Sequence, residues 1–109
     1  MATAYKVLGQ SNPTGLAITN LYTVPASNSA VISTINVCNL SAANDYFRIA
    51  VVPSGQSTAN QNYLAYNTVI PALDAISLTL GVTMAANDSI KVYGGTANLS
   101  FSAFGSEIY

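Results

Sequence analysis

The sequence predicts an all-β domain: a single antiparallel β-sandwich, jelly-roll-like, or a small barrel, of about eight strands. Three observations predict it. Serine, threonine and asparagine account for 33 of the 109 residues, and these favour turns and strands over helix interiors. Short segments alternate apolar and polar residues with a period of two, and no helical period runs longer than one turn. Clusters of Pro, Gly, Asn and Asp separate those segments at spacings of roughly 8–15 residues.

Taken in order, residues 5–8 read as an edge strand, within a segment 1–10 that also suits an extended N-terminal arm. Residues 16–24 form the next strand, closed by the turn Pro25-Ala26-Ser27-Asn28. Residues 30–40 are apolar on parts of both faces and read as a central strand. After Ala42-Ala43-Asn44-Asp45, a turn, Phe47, Ile49 and Val51 alternate with Arg48 and Ala50. The segment 53–62, PSGQSTANQN, is a long polar loop without charge, suited to solvent or to a contact. Residues 63–69 form a strand that ends near Pro71. Ile76, Leu78 and Leu80 then alternate with Ser77 and Thr79. A second "AAND" turn at 85–88 precedes Ile90 and Val92, which flank Lys91. Gly94-Gly95 reads as a hairpin turn, and Leu99, Phe101 and Ala103 alternate with Ser100 and Ser102 to close the chain.

Residues 1–109 suit one domain. Lys6, Arg48 and Lys91 stand against Asp45, Asp74, Asp88 and Glu107, with no histidine, so 6% of the chain is charged, against about 25% in an ordinary soluble domain. Three scattered cations cannot neutralise a run of phosphates, which argues against nucleic acid as a partner. No polybasic cluster points to a membrane surface. No segment reads as a signal peptide or a transmembrane helix.

The same scarcity argues against an enzyme. A nucleophilic serine or thiol needs a base, and histidine is absent. No serine sits in a G-x-S-x-G elbow. Asp45, Asp74 and Asp88 lie at turns, where aspartate bonds local amides, rather than as a catalytic pair. The donor set for a metal is missing, and no cofactor is indicated. Cys38 is alone, so it has no internal disulfide partner, and its neighbours Ile35, Val37 and Leu40 suggest a buried thiol. Almost nothing titrates between about pH 5.5 and 8, so stability should change little there.

Contact residues are easier to nominate. Tyrosine is enriched at interfaces, and seven are present. Tyr5 and Tyr109 sit near the ends, where a core needs them least. The candidate interface is therefore Tyr5, Lys6, Val7 and Leu8 with Phe104, Glu107, Ile108 and Tyr109, with residues 1–10 and 105–109 as anchoring arms. Arg48 can pair with an aspartate, with Glu107 or across an interface; a structural ion pair is the expectation.

Four blocks, "AYKVLGQ" at 4–10, "NLYTVPASNSAVISTINVCNLSAANDYFRIAV" at 20–51, "NYLAYNTVIPALDAISLTLGVTMAANDSIKVY" at 62–93 and "ANLSFSAFGSEI" at 97–108, together resemble small virion proteins of tailed bacteriophages, common among phages of cyanobacteria. The resemblance implies a non-enzymatic particle component, made in the host cytoplasm. It implies a capsid decoration (cement) protein or a small tail-associated protein, and places "FGSEI" in an end strand. It carries no binding site. The leading expectation is a homotrimer that bridges major capsid subunits. The alternatives are a tail-fibre or baseplate accessory, and a receptor- or glycan-binding module that uses the amide-rich 53–63 segment.

Overall fold

A computed structural model describes residues 2–109. It contains eight strands: β1 (Thr3–Ser11), β2 (Thr19–Thr23), β3 (Ser29–Asn39), β4 (Asp45–Val52), β5 (Tyr63–Ile70), β6 (Ala75–Met84), β7 (Ser89–Gly94) and β8 (Leu99–Ile108). A single 3-10 turn, Asn60–Asn62, precedes β5. The strands make two four-stranded sheets, ordered β1-β8-β3-β6 and β2-β7-β4-β5. Every pairing is antiparallel. This interleaved order is that of an eight-stranded jelly roll. The two sheets are open-edged and stacked, so the barrel alternative falls away.

Only β4 and β5 are consecutive strands that pair with each other; every other connection crosses to the opposite sheet. The Gly94-Gly95 turn is one such crossing, leading from β7 to β8, and is not the hairpin the sequence suggests. The alternation of apolar residues carries the packing. Ile32, Ile35, Val37, Leu99, Phe101 and Ala103 point inward from the first sheet. Leu21, Phe47, Ile49, Ile90 and Val92 meet them from the second. Phe47 and Phe101 lock the sheets edge to face, with centroids 6.3 Å apart.

Bulges explain where the simple alternation breaks. In β3 the register slips between Ile32 and Thr34 against both neighbours: Ser33 is the extra residue against β8, whereas on the other side Leu80 and Gly81 of β6 together face Ser33, and inward parity along β3 changes from even to odd numbers there. That slip is why residues 30–40 look apolar on both faces. Beyond it Ile35 and Val37 face the core, and Cys38 faces outward, partly exposed. The expected buried thiol is thus corrected: Cys38 lies in the strand but on its outer side. A second slip in β1 between Val7 and Gly9 turns Leu8 inward against the core and leaves Tyr5 and Val7 outside.

Two expected boundaries move. Residues 16–18 are not strand; Leu16 has φ 53° and lies in the β1–β2 connection. β8 runs on through Ile108, so residues 105–108 are strand, and the segment expected as an N-terminal arm is, over Thr3–Ser11, the edge strand β1 paired along β8. Ala2 and Tyr109 exchange backbone hydrogen bonds. Met1 lies outside the described residues.

The aspartates behave as turn residues. Asp88 accepts from the Ser54 and Ala85 amides at 2.9 Å each. Asp74 accepts from the Ala75 amide at 2.8 Å, and Asp45 from the Tyr46 amide at 2.8 Å and the Thr96 hydroxyl at 2.5 Å. Asn39, fully buried at the loop end of β3, ties two connections together. Its side-chain amide donates to the carbonyls of Ala43, Ile70 and Pro71 at 2.8, 3.3 and 3.2 Å. Its oxygen accepts from the Ser41 amide and hydroxyl, both at 3.0 Å.

Candidate functional site

The nominated residues come together on and beside the outer face of the first sheet, around its β1–β8 half. Strand register sets Val7 opposite Phe104, and Tyr5 and Val31 both opposite Ser106. Tyr5 is 86% exposed, Val7 50% and Phe104 36%. A shallow groove of about 400 Å3 runs between Tyr5, Val31, Ser33, Phe104 and Gly105. A side chain at Gly105 would drive its Cβ into the Val31 carbonyl oxygen, so glycine is what lets β8 press this closely on the bulge of β3.

Three of the eight nominated residues do other work. Glu107 and Leu8 point inward, and Lys6 serves Glu107. Lys6 Nζ lies 2.6 Å from the Glu107 carboxylate, with the lysine half exposed and the glutamate buried. The Tyr22 hydroxyl, from the other sheet, donates to the same carboxylate at 2.5 Å. The Lys6 bond, with help from the Tyr22 hydroxyl, holds the Glu107 carboxyl below its ordinary pKa against the opposing effect of burial. Burial and the adjacent carboxylate push the Tyr22 hydroxyl well above the usual tyrosine value. Ile108 is partly buried, and Tyr109 is exposed at the terminus.

Arg48 has no carboxylate partner among the described residues, which corrects the expected ion pair. On the outer face of the second sheet its guanidinium is sandwiched between Tyr66 and Tyr93, 4.2 and 4.3 Å from their ring centroids. Its Nε donates to Asn67 Oδ1 at 2.7 Å. Tyr46 stands 6.3 Å beyond Tyr93, and Tyr63 meets Tyr66 edge-on at 4.9 Å. Five side chains thus form one row, Tyr46-Tyr93-Arg48-Tyr66-Tyr63.

The row depends on a bulge in β5. Phe47 pairs with Thr68 and Ile49 with Ala65, so Tyr66 and Asn67 together oppose Arg48. Asn67 sits at φ 50°, in the left-handed region that asparagine tolerates better than most residues. The row is unreadable from the sequence because its members come from three strands. Tyr46 and Arg48, two apart on β4, and Tyr63 and Tyr66, three apart on β5, are the close spacings within it.

No protein-family model matches the chain, and no curated protein matches it. Among the described residues no three His, Cys, Asp or Glu side chains gather as a metal-binding group, and no helix is long and apolar enough to cross a membrane.

Proposed function

We propose that the protein is a non-enzymatic structural component of a phage virion, a capsid decoration protein that assembles as a homotrimer and bridges major capsid subunits. The single observation that carries this reading is the apolar strip of Tyr5, Val7 and Phe104 on the outer face of the first sheet. In a chain with seven charged residues, nothing on that strip but the half-exposed Lys6 opposes close contact, and contiguous exposed apolar surface marks protein contacts. Self-association has support of its own. β6 runs ten residues without a charge and is the outermost strand of its sheet, an edge that lacks the lysine or proline that usually blunts one.

The interface comprises Tyr5, Val7, Phe104 and the terminal Ile108 and Tyr109, with Lys6 at its rim. The test is occupancy on undecorated capsid shells of the wild type and of a Tyr5→Ser/Phe104→Ser double variant that retains the wild-type circular dichroism spectrum. The reading requires the wild type to saturate the shells and the double variant to lose most of its occupancy. Wild type that fails to bind, or a variant that binds as well, removes it.

A further inference from the structure

We propose that the tyrosine–arginine row on the outer face of the second sheet is a binding site for a carboxylate-bearing sugar. This face lies opposite the strip assigned to capsid contact and does not depend on that assignment.

The first argument is charge. The chain is net negative, yet its acids are spent elsewhere. Glu107 is held by Lys6 on the first sheet. Asp45, Asp74 and Asp88 are bonded into turns. The two remaining cations, Arg48 and Lys91, alternate with inward residues on adjacent strands β4 and β7, so both face outward from the second sheet. Neither has a carboxylate partner among the described residues. Two cations without a carboxylate partner on one face suit an anionic ligand.

The second argument is presentation. The Arg48 guanidinium is fixed by two rings and by Asn67, which occupies Nε alone. Its terminal nitrogens make no hydrogen bond among the described residues. A guanidinium held this way, with two parallel N–H donors free, suits a carboxylate, which accepts both at once. Because the side chain is already ordered, little conformational entropy remains to be lost on binding.

The third argument identifies a sugar as the carrier of that carboxylate. At the Tyr66–Tyr63 end of the row, joined to Arg48 through the Tyr66 ring, is a depression of about 330 Å3 lined by Asn60, Tyr63 and Tyr66, within the roughly 300–1,000 Å3 of small-molecule sites. Tyr66 gives one face to Arg48 and remains 55% exposed. A flat aromatic surface beside an amide matches a pyranose ring, which has an apolar C–H face and a hydroxyl rim. The 53–62 loop flanking the depression offers hydroxyls and amides and no charge, so it favours hydroxyl partners over a basic or apolar peptide. The β5 bulge that builds the row holds Asn67 in a sparsely populated backbone conformation, the kind of local cost that folds retain at binding sites.

The experiment is a glycan array printed with uronate- and sialate-bearing glycans, their methyl-esterified or neutral counterparts, and acidic peptides, probed with the intact protein. Arg48→Gln and Tyr66→Ala are probed alongside, after melting curves establish that each is folded. Should Arg48→Gln not fold, Tyr66→Ala, with its exposed ring, carries the comparison alone. The expected result is binding to carboxylate-bearing glycans and not to their esters. It weakens with salt and falls about tenfold or more in each folded variant. An array with no bound glycan, binding indifferent to esterification, binding unchanged in Tyr66→Ala, or acidic peptides bound as well as sugars each overturns the assignment.

Discussion

The Tyr22 hydroxyl donates a 2.5 Å hydrogen bond to Glu107, and the two residues belong to different sheets. This bond, with Lys6 on the far side of the carboxylate, is a polar link in the otherwise apolar seam between the layers. A buried carboxylate that loses a donor keeps its desolvation cost. Tyr22→Phe is therefore expected to destabilise the fold by about 1.5–3 kcal/mol. Lys6→Met removes the other partner of the same buried carboxylate, the one that does most to hold it charged, so it should also cost about 1.5–3 kcal/mol. Urea denaturation of the two variants checks this; a loss under about 0.5 kcal/mol from either would contradict it.

The same pair sets the limits of pH stability. Glu107 has a folded pKa below its unfolded value, so its contribution is complete above about pH 5 and is lost as pH falls through the folded value. Tyr22 has a raised folded pKa, so its contribution is complete below about pH 9 and declines once pH passes the unfolded value near 10. Melting temperature against pH should show a plateau across neutrality with a fall at each end. A Glu107→Gln variant should lose much of the acid-side fall. A step within the plateau would mean that another group titrates there.

Asn39 is a buried clasp with no apolar substitute. Asn39→Leu removes the donor for three carbonyls and the acceptor for Ser41, and should cost about 2–3 kcal/mol. Asn39→Asp replaces the donor with an acceptor facing those carbonyls and is expected to be worse than leucine at pH 7. Chemical denaturation ranks the two.

Gly105 tolerates no side chain. Its Cβ would meet the backbone of Val31, which cannot turn away as a flexible side chain would. Gly105→Ala is expected to lower stability by more than about 1 kcal/mol and to weaken capsid occupancy, because the shift falls within the contact strip. Gly81→Ala, which meets nothing within 4 Å, is the control and should be close to neutral.

The outward placement of Cys38 gives a direct chemical check. Its thiol is partly exposed on the outer face of the first sheet, so a small aromatic disulfide reagent should label it in the native protein. The rate should change little in mild denaturant. Labelling that waits for global unfolding would restore the buried reading.

The class of fold was legible because period-two alternation and turn chemistry are local signals. Leu99, Phe101 and Ala103 announced their strand and its inner face without reference to any partner. The aspartates announced their turns for the same reason. What escaped was whatever depends on one residue more or less. The extra Ser33 and the slip at Leu8 each reverse which side chains face the core, and those slips decide the fate of Cys38 and Tyr5. Arg48 was misread because its partners, Tyr66 and Tyr93, are charge-neutral and come from the two neighbouring strands. Gly94-Gly95 was misread because a tight glycine turn serves a crossing between sheets as well as a hairpin.

A side-chain-resolution map of the assembled particle tests the central proposal most directly. The account predicts this jelly roll on the capsid, in threes, with Tyr5, Val7 and Phe104 buried against protein and the Arg48 row facing solvent. Density for the chain on the tail alone, or on the head with Tyr5 and Phe104 exposed, would contradict it.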